Sequence, residues 1–258
     1  MTFRKHEKFA SRILKNERDL VVYLPPGYEE QPERRFPALY LHDGQNLFDG
    51  ATAFVPGMDW RVGQTADHMI DIGAVEPLLI VGIYNLGKHR IHEYTPTRVP
   101  KLGGGRANRY AKFLIEELKP FIDSEYRTLG DFEHTGLGGS SLGGLVSLYV
   151  GLKFPQVFGR LAALSPSVWW NQRVMHRFAS TVQPEPRPRI WLDIGTGEGA
   201  QILRDVENFR DVLLKKGWRP GRDLQYQRVE GAEHNEAAWA QRVGSVLQFL
   251  FPVRNSHV

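Results

Sequence analysis

The chain has 258 residues, no cysteine, 41% hydrophobic and 24% charged residues, and a formal net charge of +4. That length suits one α/β domain over 1–258, and the missing cysteines exclude disulfides, thiolate catalysis and cysteine-ligated zinc. No apolar run approaches the roughly 18 residues of a membrane span, and basic and acidic residues are interspersed, as in KNERD and EELKPFIDSEYR, which argues against membrane and nucleic-acid partners.

The N-terminal stretch MTFRKHEKFASRILKNERDL is charged throughout and lacks the apolar core of a secretory signal, so a soluble, cytoplasmic protein is the expectation. Phe9 to Leu24 reads as a hairpin turning at Lys15–Glu17, which would set antiparallel strands at one sheet edge. Apolar runs bounded by turn residues follow at Phe36–Leu41, Leu78–Ile83, Thr135–Gly138, Leu161–Leu164 and Ile190–Ile194, as buried parallel strands require. Leu224–Val229 is a further strand candidate. Helical spacing recurs between them at Arg106–Ile122, Leu142–Leu152, Ile202–Lys216 and Asn235–Leu250. The alternation predicts a mostly parallel, doubly wound α/β sheet. PEPRPR at 184–189 is a loop before a strand, too short to separate domains.

Gly139-Ser140-Ser141-Leu142-Gly143 fits G-x-S-x-G between a strand and a helix. Such a turn exposes the serine at the helix N-terminus, and its crowded backbone leaves no room for bulk two residues before or after it. Ser141 is therefore the candidate nucleophile. In an α/β-hydrolase fold the partners follow in the order acid, then histidine, each on a loop after a strand. His234 in GAEHNEAAW, past Leu224–Val229, is the candidate base. Glu198 in WLDIGTGEG is the candidate acid; Asp193, inside the strand, competes with it but suits a buried structural role. Two backbone N–H groups would hold the oxyanion: that of Leu142, and that of Gln45, which follows the Asp43-Gly44 turn in LHDGQNLFDG.

One rival needs weighing. RIWLDIGTGEGA satisfies G-x-G-x-x-A after a strand and resembles the first motif of methyltransferases that bind S-adenosylmethionine. The stretch after Gly199 holds one clear strand and two helices, too little for a nucleotide-binding sheet, and no acid-ended strand falls near Trp218.

Taken together, HDGQNLFD, EYTP at 93–96, GGSSLGG, LSPSVWW and GAEHNEAAW resemble the "Putative esterase" family of α/β hydrolases, the clan of esterase D, antigen 85 acyltransferases, feruloyl esterases and enterochelin-type siderophore esterases. The resemblance runs from about Val21 to Phe251. It implies Ser141 as nucleophile, His234 as base, Gln45 and Leu142 as oxyanion donors, and no cofactor or metal. Several relatives carry an aspartate in a G-T-x-D loop where this chain has Glu198. His89 and His92 are three apart with no clear third ligand, so spacing gives no metal site either.

The expected reaction is ester hydrolysis through a covalent acyl-serine on a small or polar ester, of the siderophore-lactone, sugar or hydroxycinnamate type. Transfer of the acyl group to another alcohol is the alternative. Too few residues separate Ser165 from the acid loop for a large helical cap, so an open site is expected. Asp49–Trp60 and Tyr84–Gly105 would form its walls. Trp169 and Trp170 are either an aromatic wall or core; Arg90 and Tyr94 either bind a polar or anionic part of the substrate or cap loops.

Overall fold

The computed structural model describes residues 1–253. Its strands are β1 (Thr2–Ser11), β2 (Asn16–Leu24), β3 (Ala38–His42), β4 (Leu79–Ile83), the two-residue β5 (Arg98–Val99) and β6 (Gly103–Gly104), β7 (Thr135–Ser140), β8 (Arg160–Leu164), β9 (Arg189–Gly195) and β10 (Leu224–Val229). Eight of them form one sheet in the order β1-β2-β4-β3-β7-β8-β9-β10, while β5 and β6 pair apart from it. β2 runs antiparallel to both β1 and β4, and every later pair in the sheet is parallel.

Every residue of β3, β4, β7 and β8 is buried, because both faces of the sheet are covered. Helices α1 (Val62–Asp71), α2 (Arg90–Tyr94), α3 (Ala107–Phe113), α4 (Lys119–Glu125), α5 (Leu142–Lys153), α6 (Trp170–Thr181), α7 (Ala200–Lys215), α8 (Glu236–Ala240) and α9 (Val243–Leu250) supply that cover. Tyr110, Leu145, Met175 and Phe209, from α3, α5, α6 and α7, pack with Tyr40 and Val81 on one face. Val62, Trp239, Val246 and Leu247, from α1, α8 and α9, pack with Leu39, Leu41 and Ile80 on the other. This is the doubly wound arrangement of an α/β hydrolase. Each fully buried aliphatic side chain contributes about 1.5–3 kcal/mol, and α5, with Leu145, Val146, Leu148 and Val150 all at 0% exposure, is the helix most dependent on that term.

Three local expectations shift. The hairpin turns at 12–15 rather than at Lys15–Glu17, because Lys15 takes a positive φ of 57° and donates its N–H to the Ser11 carbonyl, freeing Asn16 to start β2. The expected helix Arg106–Ile122 is α3 and α4 joined by a π turn at Leu114–Leu118. The expected helix Asn235–Leu250 breaks between α8 and α9. Helices α1, α2 and α6 had no expected counterpart. Between β8 and β9 lie only α6 and connecting loops, so no cap domain covers the strand ends.

Candidate active site

Parallel strands bring their carboxyl ends to one side of the sheet, and the loops that follow β3, β4, β7 and β10 surround a cavity of about 490 Å³ there. Ser141, His234, Arg90, Glu236 and Trp239 are among its lining residues. Ser141 stands on the turn from β7 into α5 with φ 57° and ψ −121°, a conformation costly for any residue with a side chain. Packing enforces it. A Cβ on Gly139 would lie 3.1 Å from the Cβ of His42, and one on Gly143 3.2 Å from the same atom, so a side chain at either position would have to push His42 back by a few tenths of an ångström. Ser141 donates its N–H to the Leu164 carbonyl at 3.0 Å, and its Oγ lies 3.3 Å from Ser167 Oγ.

The loops after β9 and β10 are stitched together. Gly197 N–H donates to the Ala232 carbonyl at 3.0 Å and Gly231 N–H to Thr196 Oγ1 at 2.8 Å. Across that seam His234 Nδ1 meets Glu198 Oε2 at 2.6 Å. The Glu198 side chain is fully buried while that of His234 is 40% exposed, so the carboxylate anchors a ring that still reaches the cavity. Glu198 Oε1 accepts from Ser165 Oγ at 2.5 Å and from Gly195 N–H at 2.9 Å. Burial alone would raise the Glu198 carboxyl; the bonds from His234, Ser165 and Gly195 outweigh it and hold the group below its ordinary range. The Trp239 indole and the His234 ring meet edge to face, with centroids 4.9 Å apart and an interplanar angle of 83°. With Glu198 and the Gly197 N–H engaged in this way, the G-x-G-x-x-A segment is tied to the loop after β10 and offers no nucleotide turn.

Asp193 faces inward. Its carboxylate accepts from Ser165 N–H at 3.0 Å, Trp191 Nε1 at 2.7 Å and Arg242 Nη1 at 2.6 Å. Burial pushes its carboxyl above the ordinary value even with Arg242 beside it.

Leu142 opens α5, where an N–H has no partner within the helix. Gln45 lies in a one-turn 3-10 helix, Gly44–Asn46, entered through Asp43 at φ 59°. Gly44 lets this turn close on β4, since a Cβ there would lie 2.6 Å from the Gly82 carbonyl carbon. Arg90 clamps the entry: Nε and Nη2 donate to the two oxygens of Asp43 at 2.8 Å each. Asn85 Nδ2 adds a bond at 2.7 Å, and Asn85 N–H donates to Gln45 Oε1 at 3.2 Å. Burial opposes ionisation of Asp43, but Arg90 and Asn85 keep its carboxyl below the usual range.

The other expected substrate contacts separate. Arg90 lines the cavity but spends its fork on Asp43. Tyr94 is wholly buried, packed on His42 and Tyr110, and does not line the cavity. Trp170 is core: it is 2% exposed and its Nε1 donates to the Thr97 carbonyl. Trp169 is 40% exposed, yet outside the lining. Asp43, Ser165, Arg242 and Glu236 were missed. Arg242 carried a readable signal, for it sits on the apolar face defined by Trp239, Val243 and Val246. Among the described residues no group of three or more His, Asp or Glu could hold a metal ion, and no helix is long and apolar enough to cross a membrane.

The sequence profile of the family described as "Putative esterase" matches residues 11–249. The chain is 26% identical to the uncharacterized protein YbbA of Bacillus subtilis, over 91% of this chain and 92% of that one. It is 31% identical to the ferri-bacillibactin esterase BesA of Bacillus subtilis, over 70% of this chain and 66% of that one. The BES protein from Bacillus cereus superposes with a TM-score of 0.77 at 22% identity, over 98% and 97% of the two chains, a likeness of fold. The chain belongs to the "Putative esterase" family, carboxylic ester hydrolases on the α/β-hydrolase fold.

Proposed function

We propose that the chain works as a single α/β-hydrolase domain that cleaves esters through an acyl-enzyme on Ser141, with His234 as base and Glu198 as the acid that orients it. The 2.6 Å contact between His234 Nδ1 and the buried Glu198 carboxylate carries this reading. An ionised carboxylate only accepts, so the imidazole proton sits on Nδ1 and Nε2 is left to take a proton. Ser141 Oγ attacks the ester carbonyl as its proton passes to Nε2. The N–H groups of Leu142 and Gln45 hold the negative oxygen, each worth about 3–4 kcal/mol in the transition state. Collapse breaks the bond to the alcohol, which leaves with the proton from Nε2. Water, activated by the same nitrogen, then releases the acid.

A small or polar ester fits best: the cavity wall carries Asn46, Asn85, Arg90 and Asn235 beside Phe54, Val55 and Trp239, and one relative is named a ferri-bacillibactin esterase. The test is a series of para-nitrophenyl esters with a serine-directed phosphonate as trap. Short acyl chains are expected to react faster than chains of about ten carbons, because the cavity is open and uncapped. The phosphonate is expected on Ser141, and a label mapped to another residue overturns the reading. Adding alcohols to the assay separates hydrolysis from acyl transfer by the product formed.

A further inference from the structure

Glu236, two residues past His234, is a charged group that this mechanism leaves unused. It lines the cavity and is only 8% exposed. The hydrogen bond it receives is a long one, from Asn46 Nδ2 to Oε1 at 3.4 Å, and among the described residues no cation is paired with it. An ionised carboxylate has about four acceptor sites, so this one keeps acceptor capacity free on the cavity wall. On the same wall the fork of Arg90 is engaged by Asp43, so Glu236 feels that guanidinium only through space and has no ion pair of its own among the described residues.

We propose that Glu236 is the acceptor of a substrate subsite for a hydrogen-bond donor on the ester, a protonated amine before a hydroxyl, and that it repels a carboxylate there. This rests on the esterase reading above. The added content is the charge and polarity of the group that the cavity selects.

Two matched ester series test it: 4-nitrophenyl benzoates and phenyl acetates, each carrying aminomethyl, hydroxymethyl, ethyl or carboxymethyl at the 3-position. In at least one series the aminomethyl ester is expected to exceed the ethyl ester in kcat/KM by about tenfold or more, with hydroxymethyl between and carboxymethyl lowest. Glu236→Gln is expected to bring the aminomethyl-to-ethyl ratio to about two, and Glu236→Asp to keep part of it. Both rates in the ratio scale with the same active fraction, so partial misfolding cancels. A ratio near one in both series, or one that survives Glu236→Gln, overturns the proposal; so would a carboxylate that serves only to hold Asn46. If no ester is cleaved, the esterase reading fails, and titration of benzylammonium followed by NMR still decides this one. Binding weakened about tenfold by Glu236→Gln supports it, and equal affinity overturns it.

Discussion

Arg242 reaches Asp193 with Nη1 2.6 Å from Oδ1, and the two side chains are 2% and 0% exposed. The same Nη1 donates to Ser165 Oγ at 3.0 Å, and Ser165 in turn donates to Glu198. Two carboxylates five positions apart thus share Arg242 unequally: Asp193 holds Nη1 at 2.6 Å, whereas Glu198 Oε1 lies 3.9 Å from Nη2 and its Oε2 meets the histidine.

Exchanging each for its amide is expected to separate these tasks. Glu198→Gln should lower kcat by up to about four orders of magnitude by favouring the wrong imidazole tautomer, with the fold intact and a smaller loss of melting temperature than Asp193→Asn causes. Asp193→Asn leaves Arg242 only Ser165 and the longer contact to Glu198, and should cost up to about 3 kcal/mol of stability. Kinetics and thermal melts on both variants check this; a fully stable, inactive Asp193→Asn protein would exchange the two roles.

The strained turn at Ser141 predicts an order among inactive variants. Ser141→Ala keeps a side chain at φ 57° and ψ −121°, whereas Ser141→Gly removes the steric conflict. Both should lose turnover, and the glycine variant should be more stable by about 1 kcal/mol or more. Urea midpoints compare them, and equal midpoints would mean that the turn stores no such strain.

Acid should destabilise the fold well above the carboxylate range. Burial pushes the His42 imidazole down to about 3, and the nearby Arg90 and Arg18 act in the same direction against the opposing pull of Asp43. From the ordinary histidine value of 6.5 down to about 3, the unfolded chain binds a proton that the folded chain refuses. Stability therefore falls as pH drops through that window, by at most about 1.4 kcal/mol per pH unit for this one group. Below the usual carboxylate values, the depressed Glu198 and Asp43 groups add to the loss. Urea unfolding between pH 5 and 7 should show the slope, and His42→Gln should flatten it; the same slope in both proteins would assign it elsewhere.

Arg90 offers a test of the oxyanion loop. Arg90→Lys keeps the charge but cannot reproduce the two-pronged grip on Asp43, which precedes Gly44 and Gln45. A drop in kcat of about 10- to 100-fold with a smaller change in KM is expected. A rise in KM alone would mean that Arg90 holds the substrate instead of the loop.

The sequence by itself determined the layers and which loops after strand ends carry the candidate residues. Runs such as Leu78–Ile83 are apolar on both sides, short and bounded by turn residues, as a strand covered on both faces requires, so the parallel sheet was readable without coordinates. The glycines around Ser141 and the positions of Glu198 and His234 after strand ends were readable for a similar reason: turn chemistry is local. Tertiary structure decided what depends on distant partners. Arg90 meets Asp43 across 47 positions, Arg242 meets Asp193 across 49, and Trp170 meets Thr97 across 73. Periodicity tells which face of an element is buried, but it does not tell which polar group from another strand end waits there. That depends on the sheet order, which sets β9 between β8 and β10 and so brings Ser165, Glu198 and His234 together.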